Sequence, residues 1–170
     1  MELKLFTKYH NTKLLKEHTN NNQPYTSEEI TILSSKKNPL SFKDLYKKVL
    51  ERKEELLEII QFIKKNDIKK IVSIGSSYPI QEYYISKKAG VEILCYDFDK
   101  TKIKNSKLIF KDKIFIQFYD MNMPLSNVIQ PNHNINCIIF LQSLYVFNRN
   151  QYAKYLGEVN NLKITKYNDK

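Results

Sequence analysis

The sequence predicts an α/β protein with a doubly wound, mainly parallel sheet and an N-terminal helical extension. After residue 67, short apolar runs alternate with stretches of helical spacing, which is typical of parallel strands joined by crossover helices. The runs are apolar at nearly every position, as in strands that helices cover on both faces. The chain has 170 residues, of which 42% are hydrophobic, so it can bury one core of ordinary size.

The first 40 residues predict an irregular arm. Residues 19–24 are rich in Asn, Gln and Pro, and residues 34–39 are rich in Ser, Lys, Asn and Pro. Such stretches interrupt regular structure. We therefore divide the chain into an N-terminal arm with an amphipathic helix, residues 1–66, and a core domain, residues 67–170.

A long amphipathic helix is predicted over residues 42–65. Ser41, followed three residues later by Asp44, is typical of a helix N-cap. Apolar residues then recur at helical spacing as far as Ile63. We expect this helix to pack on the core domain.

Four buried strands and three helices are predicted in the core domain. The strands are the apolar runs over residues 71–75, 91–97, 114–120 and 135–142. The helices are the intervening stretches over residues 79–88, 99–108 and 149–162. Pro79 favours a helix start at its position, because proline is common in the first helical turn.

The composition excludes several classes of protein. No run approaches the roughly 20 consecutive apolar residues of a membrane span, and the N-terminus lacks the apolar stretch of a signal peptide, so we expect a cytoplasmic protein with no membrane contact. Cys95 and Cys137 lie inside apolar runs and are expected to be buried thiols. The three histidines have no partner at metal-ligand spacing, so no metal site is predicted.

The net charge of +10 raises the question of an anionic partner. Only two of the 28 basic residues are arginines, Arg52 and Arg149, and the lysines are spread along nearly the whole chain. Arginine is the residue that binds phosphate and guanine through two parallel hydrogen bonds. A solvated lysine surface is therefore the favoured interpretation, and a nucleic-acid partner is the weaker one.

Three predicted strand ends bear residues suited to a ligand. Gly75 permits a tight turn and a close approach to the backbone. Asp97 ends the second strand, where a carboxylate can accept hydrogen bonds from both hydroxyls of a ribose. Asp120 and Met121 end the third strand, where they can contact an adenine ring. Doubly wound folds bind ligands at the carboxyl ends of their strands, so the three ends together predict an adenosine site.

Structural alternatives exist for two of these residues. Asp97 could cap the helix that begins near Asp99. Asp120 could belong to a turn. The ordered spacing of all three strand ends favours the ligand site.

Five segments follow one another along the core domain: VSIGSSYPIQE, CYDFD, FYDMNMP, NCIIFLQSLYVF and VNNLKI. Together, over about residues 68–162, they resemble the motifs of the class I S-adenosylmethionine-dependent methyltransferases. The resemblance implies a Rossmann-like fold and S-adenosylmethionine as the cofactor, with Asp97 bound to the ribose and Phe98 beside the adenine. The cofactor-binding residues that it implies are Gly75, Ser76, Ser77, Glu82, Asp97, Phe98, Asp120, Met121 and Gln142.

The chain departs from this family within the first motif. Ser77 and Pro79 stand where the matching form of the motif has its second and third glycines. Ser73 replaces an acid that many members use to hold the methionine amino group. Glu82 matches the glutamate that ends the motif, and it could supply the missing anion.

The predicted sheet is incomplete relative to the seven-stranded core of the family. No apolar run after residue 162 could form strands five to seven. The fourth strand is then expected to be an open edge, which must be covered or paired. Either residues 1–40 fold over this edge, or a second chain covers it, in a homodimer or with another partner.

Methyl transfer from S-adenosylmethionine to a small-molecule acceptor is the function that the resemblance implies; no catalytic residue is assigned. The segment from Leu141 to Tyr145 lacks the Asn/Asp-Pro-Pro-Tyr motif of members that methylate DNA bases or glutamine. A non-catalytic methyltransferase-like module that binds a protein partner is the second hypothesis. A nicotinamide dinucleotide site is the third, and Ser77 and Ile80 disfavour it because its fingerprint has glycines at their positions.

Overall fold

The structure is a computed structural model, and it describes residues 3–5, 41–111, 113–120, 122–129, 134–141, 154, 158 and 164–166. The strands are β1 (Leu3–Leu5), β2 (Lys70–Ile74), β3 (Glu92–Asp97), β4 (Phe115–Phe118), β5 (Cys137–Ile139) and β6 (Ile164–Lys166). The helices are α1 (Phe42–Glu51), α2 (Lys53–Lys65), α3 (Ile80–Ala89) and α4 (Lys100–Phe110), with a 3-10 turn at Leu125–Asn127. None of the helices in these ranges combines the length and apolar character that a bilayer crossing requires.

The strands that the structure describes form one parallel sheet in the order β4-β3-β2-β5-β1-β6. Central strand β2 pairs with β3 on one side and β5 on the other, with Ile71 opposite both Ile93 and Cys137. Crossover helices α3 and α4 connect β2 to β3 and β3 to β4. The predicted α/β class and the four predicted strands are confirmed.

Two apolar clusters lie on the two faces of this sheet. Along β2, Ile71 belongs to the cluster that packs under helices α1 to α4, whereas Val72 belongs to the cluster on the opposite face. Successive strand residues point to opposite faces, so strands that are apolar throughout fill both clusters. In the described residues, the second cluster also contains Leu125, Val128 and Ile129 from the segment after β4.

The prediction of one continuous helix over residues 42–65 is wrong at one point. The chain forms two helices, α1 and α2, which meet at Arg52 (φ −115°, ψ 21°). The Arg52 guanidinium connects α2 with α3. It pairs with Glu55 of α2 and donates a hydrogen bond to Oε1 of Gln81 on α3 at 2.8 Å. The predicted cap is confirmed, since Ser41 and Asp44 form a reciprocal capping box at the start of α1.

The open edge expected at the fourth strand is covered within the chain. Strand β1, from the predicted arm, pairs in parallel with β5, and Lys4 lies opposite Cys137. The expectation that no strand follows residue 162 is wrong, because β6 pairs with the far side of β1. Pairing with a second chain stays a prediction.

Only two residues of the predicted closing helix over 149–162 are described, and both are helical. Glu158 accepts a hydrogen bond from the Leu125 backbone N–H at 2.6 Å. Lys154 donates to the carbonyl oxygen of Asn122 at 3.1 Å. These contacts attach Lys154 and Glu158 to the segment that follows β4.

Candidate cofactor-binding site

The loop after β2 folds back onto the end of β3. The backbone N–H groups of Gly75 and Ser76 both donate to the carbonyl oxygen of Tyr96, at 2.8 and 3.1 Å. Gly75 (φ 75°) and Ser77 (φ 54°) have left-handed backbone conformations. Glycine adopts this conformation freely, whereas a serine does so at a cost. The loop therefore follows a path that suits glycine at both positions.

The Asp97 carboxylate joins this loop to the start of α4. Its Oδ2 accepts a hydrogen bond from the Ser77 N–H at 2.6 Å, and its Oδ1 accepts one from the Asp99 N–H at 2.8 Å. Each carboxylate oxygen has two lone pairs, so both oxygens keep capacity for a further donor such as a hydroxyl. Burial raises the pKa of Asp97, while the two backbone donors and the nearby Lys102 lower it. The two N–H groups hold the carboxylate in place at the carboxyl end of β3.

Asp99, and not Asp97, caps helix α4. The Asp99 side chain accepts hydrogen bonds from the N–H groups of Thr101 and Lys102, at 2.9 and 3.1 Å. Asp99 therefore has the capping role that was the alternative for Asp97. The Asp97 carboxylate at the end of β3 remains available to contact the loop and a ligand.

Glu82 lies beneath the loop, in the first turn of α3, and its side chain is only 2% exposed. Ser73 donates a hydrogen bond from Oγ to Glu82 Oε1 at 2.8 Å. The carboxylate thus sits beside the position from which the family acid is missing. Its assignment to the methionine amino group stays a prediction, and in this conformation the Ser73 hydroxyl occupies one of its oxygens.

Burial raises the pKa of Glu82 to about 7, against 4.5 for an ordinary glutamate. Its own backbone N–H and the hydroxyls of Ser73 and Ser76 oppose this shift, and the charge of Asp97 adds to it. The folded chain holds the proton more tightly than the unfolded chain does. The contribution of Glu82 to stability is therefore greatest below pH 4.5 and is lost as the pH rises to about 7.

We expect Glu82→Gln to remove this pH dependence, because the amide does not titrate. A shift of this size corresponds to about 3 kcal/mol in the free energy of unfolding, measured by urea denaturation at pH 4 and pH 8. The wild-type chain should lose this amount relative to the variant over that interval. Glu54→Gln, on an exposed position of α2, is the control and should follow the wild type. If the stability of the wild type and of Glu82→Gln changed with pH in the same way, the raised pKa of Glu82 would be contradicted.

Asp120 lies after β4 and organises its own turn. Its Oδ1 accepts hydrogen bonds from the backbone N–H and the side-chain amide of Asn122, at 2.8 and 3.0 Å. This is the turn chemistry that was the alternative for Asp120, and its contact with adenine stays a prediction. Two other predicted site residues, Met121 and Gln142, lie outside the described residues.

Phe98 follows Asp97 directly and faces a second aromatic ring. The ring centres of Phe98 and Phe118 are 5.9 Å apart, and the Lys100 ammonium lies 5.1 Å from the Phe118 ring centre. Phe118 is 47% exposed and was not among the predicted site residues. The signal for it in the sequence is weak, because a phenylalanine at a strand end is usually a core residue.

Three of the predicted features thus meet at the carboxyl ends of β2 and β3: the loop from Gly75 to Ser77, the Asp97 carboxylate and the Phe98 ring. These groups fit a nucleoside, since the carboxylate can accept hydrogen bonds from a ribose diol and the ring can pack against a base. Glu82 lies below the loop, and Asp120 lies at the end of the neighbouring strand β4.

No family model matches the chain, and no curated protein matches it. Among solved structures, the S-adenosylhomocysteine-bound methyltransferase PaMTH1 from Podospora anserina is 13% identical, with a TM-score of 0.49, over 94% of this chain and 68% of that one. A protein assigned as a caffeoyl-CoA O-methyltransferase from Staphylococcus aureus is 17% identical, with a TM-score of 0.42, over 60% and 54% of the two chains. The 16S rRNA methylase ArmA is 20% identical, with a TM-score of 0.36, over 67% and 54%.

The present chain therefore spans about half the length of two of these proteins. Because the identities and the TM-scores are low, the fold is assigned from the strand order of the chain itself. Strands β4, β3, β2 and β5 are parallel and alternate with helices, and in the numbering of a sheet that starts at β2 their order is 3-2-1-4. The chain has a Rossmann-like fold.

Proposed function

We propose that the chain binds S-adenosylmethionine at the carboxyl ends of β2 and β3 and transfers its methyl group to a small-molecule acceptor. The observation that supports this most is the hydrogen bond from the Ser77 N–H to the Asp97 carboxylate at 2.6 Å. It joins the loop of the first motif to the acid of the second motif. The two motifs were identified separately in the sequence, and they meet in space as a nucleoside site requires.

Each residue of this site has a distinct task in the proposal. The Asp97 carboxylate accepts the ribose hydroxyls with its remaining lone pairs, and the Phe98 ring packs against the adenine. The backbone from Gly75 to Ser77 lies along the methionine part. When bound, the cofactor supplies an activated methyl group on a sulfonium. The protein then needs chiefly to orient the acceptor and exclude water, so no acid or base at the site is required.

The class of acceptor is the finer part of the proposal. A small molecule is favoured because the chain has Leu141 to Tyr145 after the fourth strand, and not the Asn/Asp-Pro-Pro-Tyr sequence that orients a base or glutamine amine. Only Leu141 of this segment lies within the described residues. The identity of the acceptor does not enter the binding test below.

Replacing Ser77 by glycine should tighten binding several-fold. The gain in binding comes from removing the side-chain bulk beside the ligand. The φ of 54° at Ser77 costs a residue with a Cβ atom about 1 kcal/mol in the free and the bound chain alike, so its relief by glycine adds to stability instead. Added backbone entropy in the unfolded chain offsets part of the gain in stability. Calorimetric titration of both proteins measures the change.

The control for this variant is Ser77→Ala, which removes the hydroxyl but keeps the Cβ atom. It should bind no more tightly than the wild type. Weaker binding by both variants would mean that the Ser77 hydroxyl contacts the ligand and that the loop follows another path in the complex.

Isothermal titration with S-adenosylhomocysteine tests the proposed cofactor directly. A dissociation constant in the micromolar range would support the enzyme. The absence of heat at high protein concentration would overturn it and favour the alternative, a non-catalytic methyltransferase-like module with a protein partner. Two observations favour that alternative: the side chain of Ser77 at a glycine-like position and the burial of Glu82 away from the loop surface.

A further inference from the structure

Helix α4 differs from the other helices in its charge. It contains four lysines and no acidic residue, whereas α1, α2 and α3 each combine lysines with at least one acidic residue. A bias toward lysine across the whole chain would enrich every helix alike. It does not explain why the acidic residues are missing from α4.

Three of the four lysines form a stripe along one flank of the helix. Lys100, Lys104 and Lys107 are spaced four and three residues apart, so they follow one another on the same side, and all three are exposed. We call these three residues the α4 lysine stripe. The fourth, Lys102, lies 3.9 Å from the Asp99 cap instead. None of the ion pairs found among the described residues involves the stripe.

An exposed aromatic ring ends the stripe at the ligand side of the sheet. Phe118 is 47% exposed, and the Lys100 ammonium lies 5.1 Å from its ring centre. A row of cations that leads to an exposed aromatic ring is how proteins bind single strands, since the cations hold phosphates and the ring stacks on a base. Here the Lys100 ammonium over the Phe118 ring would move to a phosphate when a base stacks on that ring.

We propose that the α4 lysine stripe and the Phe118 ring bind a single-stranded nucleic acid. The net charge of +10 would draw such a polyanion toward the chain. An anionic membrane surface fits less well. A helix that binds a bilayer inserts an apolar face, whereas Ile103 and Phe110 of α4 are buried against the sheet and only Leu108 is an exposed large apolar residue of this helix.

The binding is independent of the proposed methyl transfer, so it can be measured without the cofactor. The probe is a fluorescein-labelled 12-nucleotide oligothymidylate, followed by fluorescence anisotropy between 50 and 200 mM NaCl. Three phosphate contacts would give a slope of about −2 for the logarithm of the association constant against the logarithm of salt. The triple variant with Lys100, Lys104 and Lys107 replaced by glutamine should lose this slope and bind at least tenfold more weakly at 50 mM.

The matched control replaces Lys53, Lys64 and Lys65 of α2, which are also exposed, so it removes the same number of charges. It should keep the slope of the wild type. An equal loss in both triple variants, or no binding by the wild type at 50 mM NaCl, would overturn the proposal. Binding to vesicles that contain phosphatidylserine, without binding to the oligonucleotide, would overturn it as well.

A second variant separates nucleic acid from other polyanions. Phe118→Ala should weaken oligonucleotide binding at least fivefold, because a stacked base is lost. It should leave the binding of inorganic polyphosphate, which has no bases, unchanged. Phe118→Tyr keeps an aromatic face and should restore oligonucleotide binding. A Phe118→Ala variant that binds both probes like the wild type would overturn the assignment of a base to this ring.

Discussion

Replacing Asp97 by alanine is expected to weaken the binding of S-adenosylhomocysteine by ten- to a hundredfold. Two ribose hydroxyls would lose a charged acceptor, and hydrogen bonds to a charged group contribute roughly 1.5–3 kcal/mol. The variant also loses the acceptor for the N–H groups of Ser77 and Asp99, so the loop is less well held for a ligand. Isothermal titration measures the dissociation constant.

The fold itself should survive this substitution. Asp97 is a partly buried carboxylate whose pKa is raised by desolvation, so its removal relieves a cost of desolvation while it breaks two hydrogen bonds. Asp67→Ala is the control, because Asp67 is an exposed residue that pairs with Lys69 on the surface. An Asp97→Ala variant that binds like the control would remove the central residue of the proposed site.

Deletion of residues 1–40 is expected to turn the chain into insoluble protein. The deletion removes β1, and β5 then presents one row of unpaired backbone groups beside its buried apolar residues. Such an edge recruits other chains. The fraction of soluble protein after expression, together with light scattering on what remains in solution, measures the effect.

A pair of point variants separates the loss of β1 from the loss of the rest of the arm. Lys4→Pro removes a backbone N–H within the strand and should reproduce part of the aggregation. Lys4→Thr keeps the N–H, and its side chain suits a strand, so this variant should stay soluble. A soluble monomer after the deletion would mean that the edge is closed in another way.

The larger elements of the fold were predictable because their residues repeat a local pattern. Runs that are apolar at nearly every position predicted strand β2 and its neighbours β3 and β5. The pair of Ser41 and Asp44 predicted the start of α1. The break at Arg52 was not predictable, since its guanidinium is held by Gln81, which lies far along the chain. Strands β1 and β6 have three residues each, which is too short for a periodic signal.

The candidate site likewise has features that the sequence predicts and features that it does not. Gly75 and Asp97 were identified from their order and spacing along the chain. The left-handed conformation of Ser77 and the contact of Glu82 with Ser73 were not, because they depend on how the loop packs against the end of β3. The exposure of Phe118 likewise depends on the position of β4 at the edge of the sheet.

The strands that pair in the two halves of the sheet are separated by very different lengths of chain. In the half formed by β2, β3 and β4, paired residues such as Ile71 and Ile93 are about 20 residues apart, whereas Lys4 and Cys137 in the other half are about 130 residues apart. Loop-closure entropy delays such distant pairings during folding. Of the described strands, β1 leaves the ribosome first, yet it must wait for β5 and β6, which are synthesised after the others. Until β1 docks, β5 has a neighbour on one side only, and such an unpaired strand edge exposes a folding intermediate to aggregation.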